Sequence, residues 1–230
     1  MPESLGTLVL AALVWLAIHF GIAGTRLRGA IVARIGEGPF RGLFSVASLA
    51  ALWFLVASYN AAPTTPLWTA PPWLRWILVL AMLPAFVLFV AALVTPSPTA
   101  VGGERNAPAE PHGIQRITRH PMLWSFAIWA AVHVIGNGDT ASLLFFGAFL
   151  LTALLGMPSI DAKAAARDPE RWARFAARSS ILPFGAIAAG RNRLVWREIG
   201  WLPPVLGLLL WVAVLHFHRA VFGVAPVIFG

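Results

Sequence analysis

The sequence predicts an all-α, polytopic transmembrane helix bundle, and its composition and hydropathy are the observations that predict it. Hydrophobic residues make up 59% of the 230 residues and charged residues only 11%, whereas soluble domains carry about 25% charged residues. The mean hydropathy is +0.77, and the apolar residues form runs long enough to cross about 30 Å of hydrocarbon. These values exclude an ordinary soluble enzyme, a disordered chain and a nucleic-acid-binding domain.

Six apolar segments approach the length of a membrane span. They cover residues 5–24, 40–59, 73–95, 121–135, 140–157 and 201–222. The fourth and fifth are short, and the Gly-Asn-Gly-Asp sequence between them is typical of a tight turn that joins antiparallel helices. Pro84 within the third segment predicts a kink with a cavity behind it. We predict a single domain over residues 1–230, with cytoplasmic loops at 96–120 and 158–199.

The basic residues predict the orientation of the spans. Fifteen of the seventeen Lys and Arg residues, including Arg105, fall in the first, third and fifth connections, and only Arg75 and Arg219 fall on the other side. Basic residues concentrate on the cytoplasmic side of membrane proteins. We therefore expect both termini outside and a multi-pass protein of the bacterial inner (plasma) membrane. The net charge of +8 then reflects topology and not nucleic-acid binding.

The segment after Asp168 predicts a short amphipathic helix. Asp168 has the position of an N-cap, and Pro169 has the first helical position. Trp172 and Phe175 then fall on one face and the arginines on the other. This pattern favours either an interfacial anchor that attracts anionic lipid or a lid over a cytoplasmic-side pocket.

Within the spans Asp, Glu, Lys and Arg are nearly absent, so the histidines are the candidate functional residues there. His19 lies about 8 Å before the cytoplasmic end of the first span, and His120 lies at the cytoplasmic start of the fourth. The chain has no cysteine, so thiolate ligands are excluded. Two histidines at one depth on separate helices fit a bis-imidazole haem b. The alternative is that each is a buried neutral histidine bonded to a neighbouring helix.

The surroundings of His120 predict an anion site. The partial positive charge of a helix N-terminus disfavours imidazolium and keeps this ring able to bind a metal. The same N-terminus, flanked by Arg116 and Arg119, suits a haem propionate, a phosphate or a cofactor carboxylate. Asp139 more simply caps the fifth span. The remaining histidines have no assigned role at this point: His112, His133, His216 and His218.

Several motifs resemble those of the NnrU family of membrane proteins. They are HFGIA at 19–23, GEGPFRGLFS at 36–45, RITRHPM at 116–122, WAAVH at 129–133, GNGD at 136–139 and LPFGAI at 182–187. The extended carboxyl region resembles the 15-cis-zeta-carotene isomerase branch more than the short NnrU proteins. The NnrU resemblance implies a role in nitrogen-oxide metabolism (denitrification).

The carotenoid branch implies a more specific chemistry. It implies a haem b isomerase whose redox-gated iron is held by histidines that match His19 and His120, the pair that depth also selects. Arg116 and Arg119 would then meet the haem propionates. The expected reaction is cis–trans isomerisation of an apolar polyene that enters from the lipid bilayer.

Two alternatives stay open. The chain could keep the haem but act without catalysis, as a nitric oxide sensor or an electron carrier for nitrogen-oxide enzymes. The RHP sequence at 119–121 with DPERW at 168–172 also resembles the isoprenylcysteine and phospholipid methyltransferases, which implies an S-adenosylmethionine site at the cytoplasmic face. A methyl-transfer site gives no reason for His19.

Overall fold

The predicted all-α class is confirmed by a computed structural model that describes residues 5–100 and 109–227. The structure is 76% helical, and its described residues contain no strand. Arg105 and the middle of the predicted loop 96–120 lie outside the described residues. The helices follow the apolar segments of the sequence, because a backbone in hydrocarbon must satisfy its hydrogen bonds within its own helix.

Six long helices correspond to the six predicted spans. They are α1 (Leu5–Leu16, continued by a π-helix over Ala17–Ile22), α3 (Glu37–Ala61), α4 (Pro72–Val94), α5 (Pro121–Asn137), α6 (Thr140–Arg167) and α10 (Leu202–Phe222). Short helices lie between them: α2 (Arg26–Ile35), a 3₁₀ turn (Gly113–Arg116), α7 (Pro169–Ala177), α8 (Gly185–Ala188) and α9 (Trp196–Ile199).

Five of the predicted spans are long and apolar enough to cross a membrane, and the fourth is shorter. The five are the helix over Leu5–Ile22 and helices α3, α4, α6 and α10. Helix α5 has 17 residues, which extend about 26 Å at 1.5 Å per residue. The polytopic helix bundle is therefore confirmed, with α5 as its shortest long helix.

The end of the fifth span differs from the prediction. We expected it at residue 157, with a loop from 158, but α6 continues through Pro158 to Arg167. A proline removes one helical hydrogen bond without ending a helix that other contacts hold. The residues that follow Pro158 include Lys163 and four alanines, which are strong helix formers. The predicted loop 158–199 thus contains the end of α6 and three short helices.

The predicted amphipathic helix after Asp168 is confirmed as α7. The Asp168 carboxylate accepts a hydrogen bond of 3.1 Å from the Arg171 backbone N–H, and Pro169 takes the first helical position. Phe175 is only 1% exposed. Because Phe175 packs against protein, its ring does not insert into lipid, and the choice between an interfacial anchor and a lid stays a prediction.

The described residues form two compact units, to both of which α5 and α6 contribute. The first unit contains residues up to 70 and 133–152. Its core lies between α1 and α3, where Leu8 and Leu55 are fully buried. At one end, the Asp139 carboxylate accepts a 2.9 Å hydrogen bond from the Ser142 N–H, so the predicted helix cap is confirmed.

The second unit contains residues 71–132 and the chain from 153 onward. Helices α4 and α10 pack closely in this unit because Gly207 has no side chain. A Cβ at this position would lie 2.8 Å from the Cα of Val87. The Trp211 indole N–H donates a 2.8 Å hydrogen bond to the Val79 carbonyl. The single-domain organisation over 1–230 stays a prediction.

Candidate functional site: a buried histidine, aspartate and arginine

His19 lies in the π-helical turn that ends the first span. Its Nδ1 lies 2.8 Å from the Trp15 carbonyl oxygen. A carbonyl only accepts hydrogen bonds, so Nδ1 carries the proton and Nε2 keeps a lone pair. The ring also contacts the Trp15 ring, with centroids 4.1 Å apart, and the Phe44 ring at 5.6 Å. Single-turn π-helices occur frequently at functional sites.

His120 lies immediately before α5 and is 2% exposed. Its Nε2 lies 2.8 Å from the Asp161 Oδ1 on α6. No hydrogen bond joins Nδ1 of this ring to a residue in the described ranges. The extension of α6 past Pro158 is what brings Asp161 to the histidine.

Arg119 completes this arrangement. Its Nε donates a 2.9 Å hydrogen bond to the Asp161 Oδ2, and the two side chains are 14% and 12% exposed. The guanidinium carbon also lies 5.5 Å from the centroid of the Trp172 ring on α7. We call these four residues, His120, Asp161, Arg119 and Trp172, the His120 cluster. Its formal charges cancel, which is the condition for burying ionised groups at tolerable cost.

Arg116 binds a different carboxylate. Its Nε and Nη2 donate to the two Glu198 oxygens at 2.6 and 2.8 Å, and its Nη1 donates to the Asn192 side chain at 2.7 Å. The Gly113 backbone N–H also donates to Glu198 at 2.9 Å. These donors, above all Arg116, lower the pKa of Glu198 to about 2. The pair therefore stays ionised at physiological pH.

A loop between α7 and α8 holds the segment that carries the arginines and His120. The Thr118 hydroxyl and the Trp124 indole N–H donate to the Ile181 carbonyl at 2.7 and 2.8 Å. The Phe184 N–H donates to the Ile117 carbonyl at 2.8 Å. Phe184 itself has a left-handed backbone conformation with a φ of 62°.

An apolar cavity of about 160 Å³ lies between α4 and α5 in the second unit. Its walls include Ala85, Phe86 and Phe89 on α4 and Ser125 and Phe126 on α5. Pro84, inside α4, immediately precedes Ala85. The cavity therefore lies where the proline predicted one.

The structure places the predicted site residues in two groups. His120, Arg116 and Arg119 belong to the second unit, and His19 belongs to the first. The pairing of the two histidines on one haem stays a prediction. In the parts of the chain that the structure describes, no group of three or more His, Asp or Glu residues is arranged to hold a metal ion.

Sequence reasoning missed the two carboxylates of the site. Asp161 lies 41 residues after His120, and Glu198 lies 82 residues after Arg116. For Asp161 the available signal was its position three residues after Pro158, within an alanine-rich stretch that continues the helix. Glu198 lies in a short helix of four residues, which has no comparable signal.

These features define a class: a polytopic membrane protein with a charge-balanced histidine cluster buried next to the ends of its spans. The NnrU protein family model matches residues 7–226, so the chain belongs to the NnrU family.

Two curated relatives are chloroplastic 15-cis-zeta-carotene isomerases. The Arabidopsis thaliana protein is 27% identical over 224 residues, which cover 94% of this chain and 60% of the relative. The Zea mays protein is 26% identical over 197 residues, which cover 81% of this chain and 52% of the relative. The chain thus spans between about half and three-fifths of the length of these relatives. No solved structure matches it significantly.

Proposed function

We propose that the chain is a haem-b-binding membrane isomerase that interconverts cis and trans isomers of an apolar polyene. The observation that carries this proposal is the position of His19 in an apolar span, where its Nδ1 lies 2.8 Å from the Trp15 carbonyl and Nε2 is left for a ligand. Membership of the NnrU family, together with the names of the two relatives, supports an isomerase role. The basic connections support a multi-pass location in the bacterial inner membrane.

The two histidines each make the kind of hydrogen bond that a metal-ligating histidine makes. Each ring has one nitrogen bonded to an acceptor, a carbonyl for His19 and a carboxylate for His120. A ligating histidine typically donates its other N–H to such an acceptor, which fixes the ring and its tautomer. In this proposal His19 and His120 hold the haem, which supplies redox-active iron when it is bound.

The arginines fit the predicted propionate role less directly. Arg116 is bound to Glu198, and Arg119 is bound to Asp161. A propionate would share each guanidinium with a carboxylate already in place. We therefore propose that both arginines act first as the charge partners that keep the segment 116–120 in position.

The apolar cavity is the site that we propose for the polyene. Its volume is below the roughly 300–1,000 Å³ of pockets that enclose whole small molecules, so it suits one segment of an extended hydrocarbon. Its mostly aromatic and aliphatic walls would give the polyene van der Waals contacts. Isomerisation leaves the atoms of the substrate unchanged, and therefore needs no second substrate.

The test is the absorption spectrum of the detergent-purified protein, first oxidised and then reduced with dithionite. We expect a Soret band, with α and β bands after reduction, and conversion of 15-cis-zeta-carotene by the reduced protein. His19→Ala and His120→Ala should each lower the haem content at least about tenfold. His216→Ala, on α10, is the matched histidine control and should retain haem.

Other results of this test would favour a different ligand or a different function. Haem loss in His133→Ala in place of His120→Ala would move the second ligand to His133. A haem protein that leaves the carotene unchanged but binds nitric oxide would favour the sensor or electron carrier. A colourless protein from haem-sufficient cells would contradict the proposal, and S-adenosylmethionine binding would then test the methyltransferase alternative.

A further inference from the structure

The apolar cavity between α4 and α5 has one hydroxyl group in its wall. Among the described residues that line the cavity, Ser125 alone carries a hydroxyl, and it is 4% exposed. The other lining residues are aromatic residues, a methionine and an alanine. Two of the aromatic rings, those of Phe89 and Phe126, contact each other edge to face with their centroids 6.2 Å apart. The cavity therefore combines an apolar surface with a single hydroxyl.

The Ser125 hydroxyl has no hydrogen-bond partner within residues 5–100 and 109–227. Serine and threonine in helices often bond the carbonyl four residues earlier, as the Thr152 hydroxyl does with the Ala148 carbonyl at 2.7 Å. For Ser125 that carbonyl belongs to Pro121, and the described residues show no such bond. The Ser125 oxygen is also not enclosed by protein atoms, so a ligand in the cavity can reach it. Because buried polar groups are nearly always hydrogen-bonded, this hydroxyl indicates a ligand with a polar atom.

The cavity lies close to the ends of two spans that the basic residues place on the cytoplasmic side. Ser125 is four residues after Pro121, where α5 begins, which is about 6 Å along the helix. Phe89 is five residues before Val94, where α4 ends, which is about 8 Å. A polar atom costs least near the end of a span and most at the bilayer centre. The position of Ser125 therefore favours a polar atom at the end of a long ligand, with the hydrocarbon chain extending along α4 and α5.

We propose that the cavity binds the end group of a polyene that carries an oxygen atom, and that the Ser125 hydroxyl donates a hydrogen bond to this oxygen. The volume of the cavity is close to that of apolar cavities that accept a benzene ring, so an end group fits better than a whole molecule. This inference rests on the proposed function, because it takes the cavity as the polyene site. It deepens that function by naming the substrate class.

Ser125 is the residue that distinguishes the two kinds of polyene. A hydrocarbon end group would cover the hydroxyl, exclude water from it and leave it unpaired, which costs free energy. A carbonyl or hydroxyl oxygen accepts the hydrogen bond and removes that cost. The aromatic walls contact both kinds of polyene equally, so the preference depends on Ser125.

The first measurement compares canthaxanthin, which has a carbonyl group on each end ring, with β-carotene, which has the same skeleton and no oxygen. Both are achiral, so circular dichroism in their visible absorption band reports only pigment bound to the protein in nanodiscs. We expect canthaxanthin to bind about fivefold or more tightly than β-carotene. In Ser125→Ala the binding of canthaxanthin should weaken to that of β-carotene, whose own binding should not weaken.

The second measurement is the carbonyl stretching frequency of bound canthaxanthin, identified in infrared difference spectra by ¹⁸O substitution. A hydrogen bond lowers this frequency, so we expect a lowered value in the unsubstituted protein and the free value in Ser125→Ala. Ser125→Thr keeps a hydroxyl and should keep the lowered value. Ser45→Ala is the matched control, because it removes a hydroxyl that already bonds the Arg41 carbonyl at 2.8 Å, and it should change neither measurement.

The outcomes separate this inference from the proposed function. Equal binding of the two carotenoids by the unsubstituted protein overturns the inference and leaves a hydrocarbon substrate. A carbonyl frequency that is the same with and without the Ser125 hydroxyl also overturns it, even if canthaxanthin binds tightly. Failure of both carotenoids to bind overturns it as well, because the cavity would not be a polyene site. A colourless protein overturns the proposed function instead, and both binding measurements can still be made on that protein.

Discussion

Phe184 has a backbone conformation that few residues other than glycine adopt. Its φ is 62° and its ψ is −1°, in a region where a Cβ costs about 1–2 kcal/mol. The side chain is 51% exposed, so burial offsets little of this cost. The conformation persists because the Phe184 N–H bonds the Ile117 carbonyl, which fastens the loop to the segment that carries His120.

Substitution of Phe184 separates backbone strain from side-chain contacts. Phe184→Gly and Phe184→Ala both remove the aromatic ring, but only glycine adopts a positive φ without strain. We expect the glycine variant to be about 1 kcal/mol more stable than the alanine variant, measured by thermal unfolding in detergent. Equal melting temperatures for the two variants would show that the loop relaxes when the ring is absent.

At this scale the sequence predicted the ionisable residues of the site but not their partners. His120 could be selected because few ionisable residues occur in the spans, and its low exposure agrees with a buried role. Asp161 could not be selected, because the predicted fifth span ends at residue 157 and places Asp161 in a loop. Which carboxylate meets which arginine depends on contacts between residues far apart in the chain, and periodicity carries no information on them.

Helices α4 and α5 form the apolar cavity because Ala85 is small where its neighbours are aromatic. Ala85→Leu adds three carbon atoms to the cavity wall. If the polyene occupies the cavity, the substitution should slow isomerisation of 15-cis-zeta-carotene without loss of haem. Ala81→Leu, one turn earlier on α4, is the matched control. An unchanged rate in Ala85→Leu, in protein that retains its haem, would place the substrate elsewhere.

The sequence predicted which segments are helices better than where they end. Apolar runs identified all six long helices, because only a helix satisfies the backbone in hydrocarbon. Helix α2 was missed, since three of its ten residues are arginines and its apolar run at 30–33 is too short to suggest a span. Its start is marked only by the Thr25 hydroxyl, which accepts a 3.2 Å hydrogen bond from the Leu27 N–H.

For the molecule as a whole, the charge distribution predicts which connections face the cytoplasm. The chain contains no cysteine, so a single introduced cysteine reports its own side of the membrane. Thr69→Cys, between α3 and α4, should react with a membrane-impermeant maleimide in intact cells. Ala189→Cys, between α6 and α10, should react only after the membrane is opened. Both positions are exposed in the structure.

The labelling pattern also tests the number of crossings. The reverse pattern would mean that the bundle is inserted with the opposite orientation. Reaction of both cysteines in intact cells would mean that an even number of the helices between them cross the bilayer, and α5, the shortest of the six, would then be the one that does not.

The π-helical turn at Ala17–Ile22 has a consequence for how the direction of His19 is encoded. Such a turn is an α-helix that has gained one residue, and each residue of an α-helix turns the chain by about 100°. Deletion of Gly21, where an added Cβ would meet no atom within 4 Å, would return the turn to α-helical geometry and change the direction of His19. The number of residues in the turn thus sets the direction of the imidazole. A comparison of residue identities alone does not detect this effect of chain length.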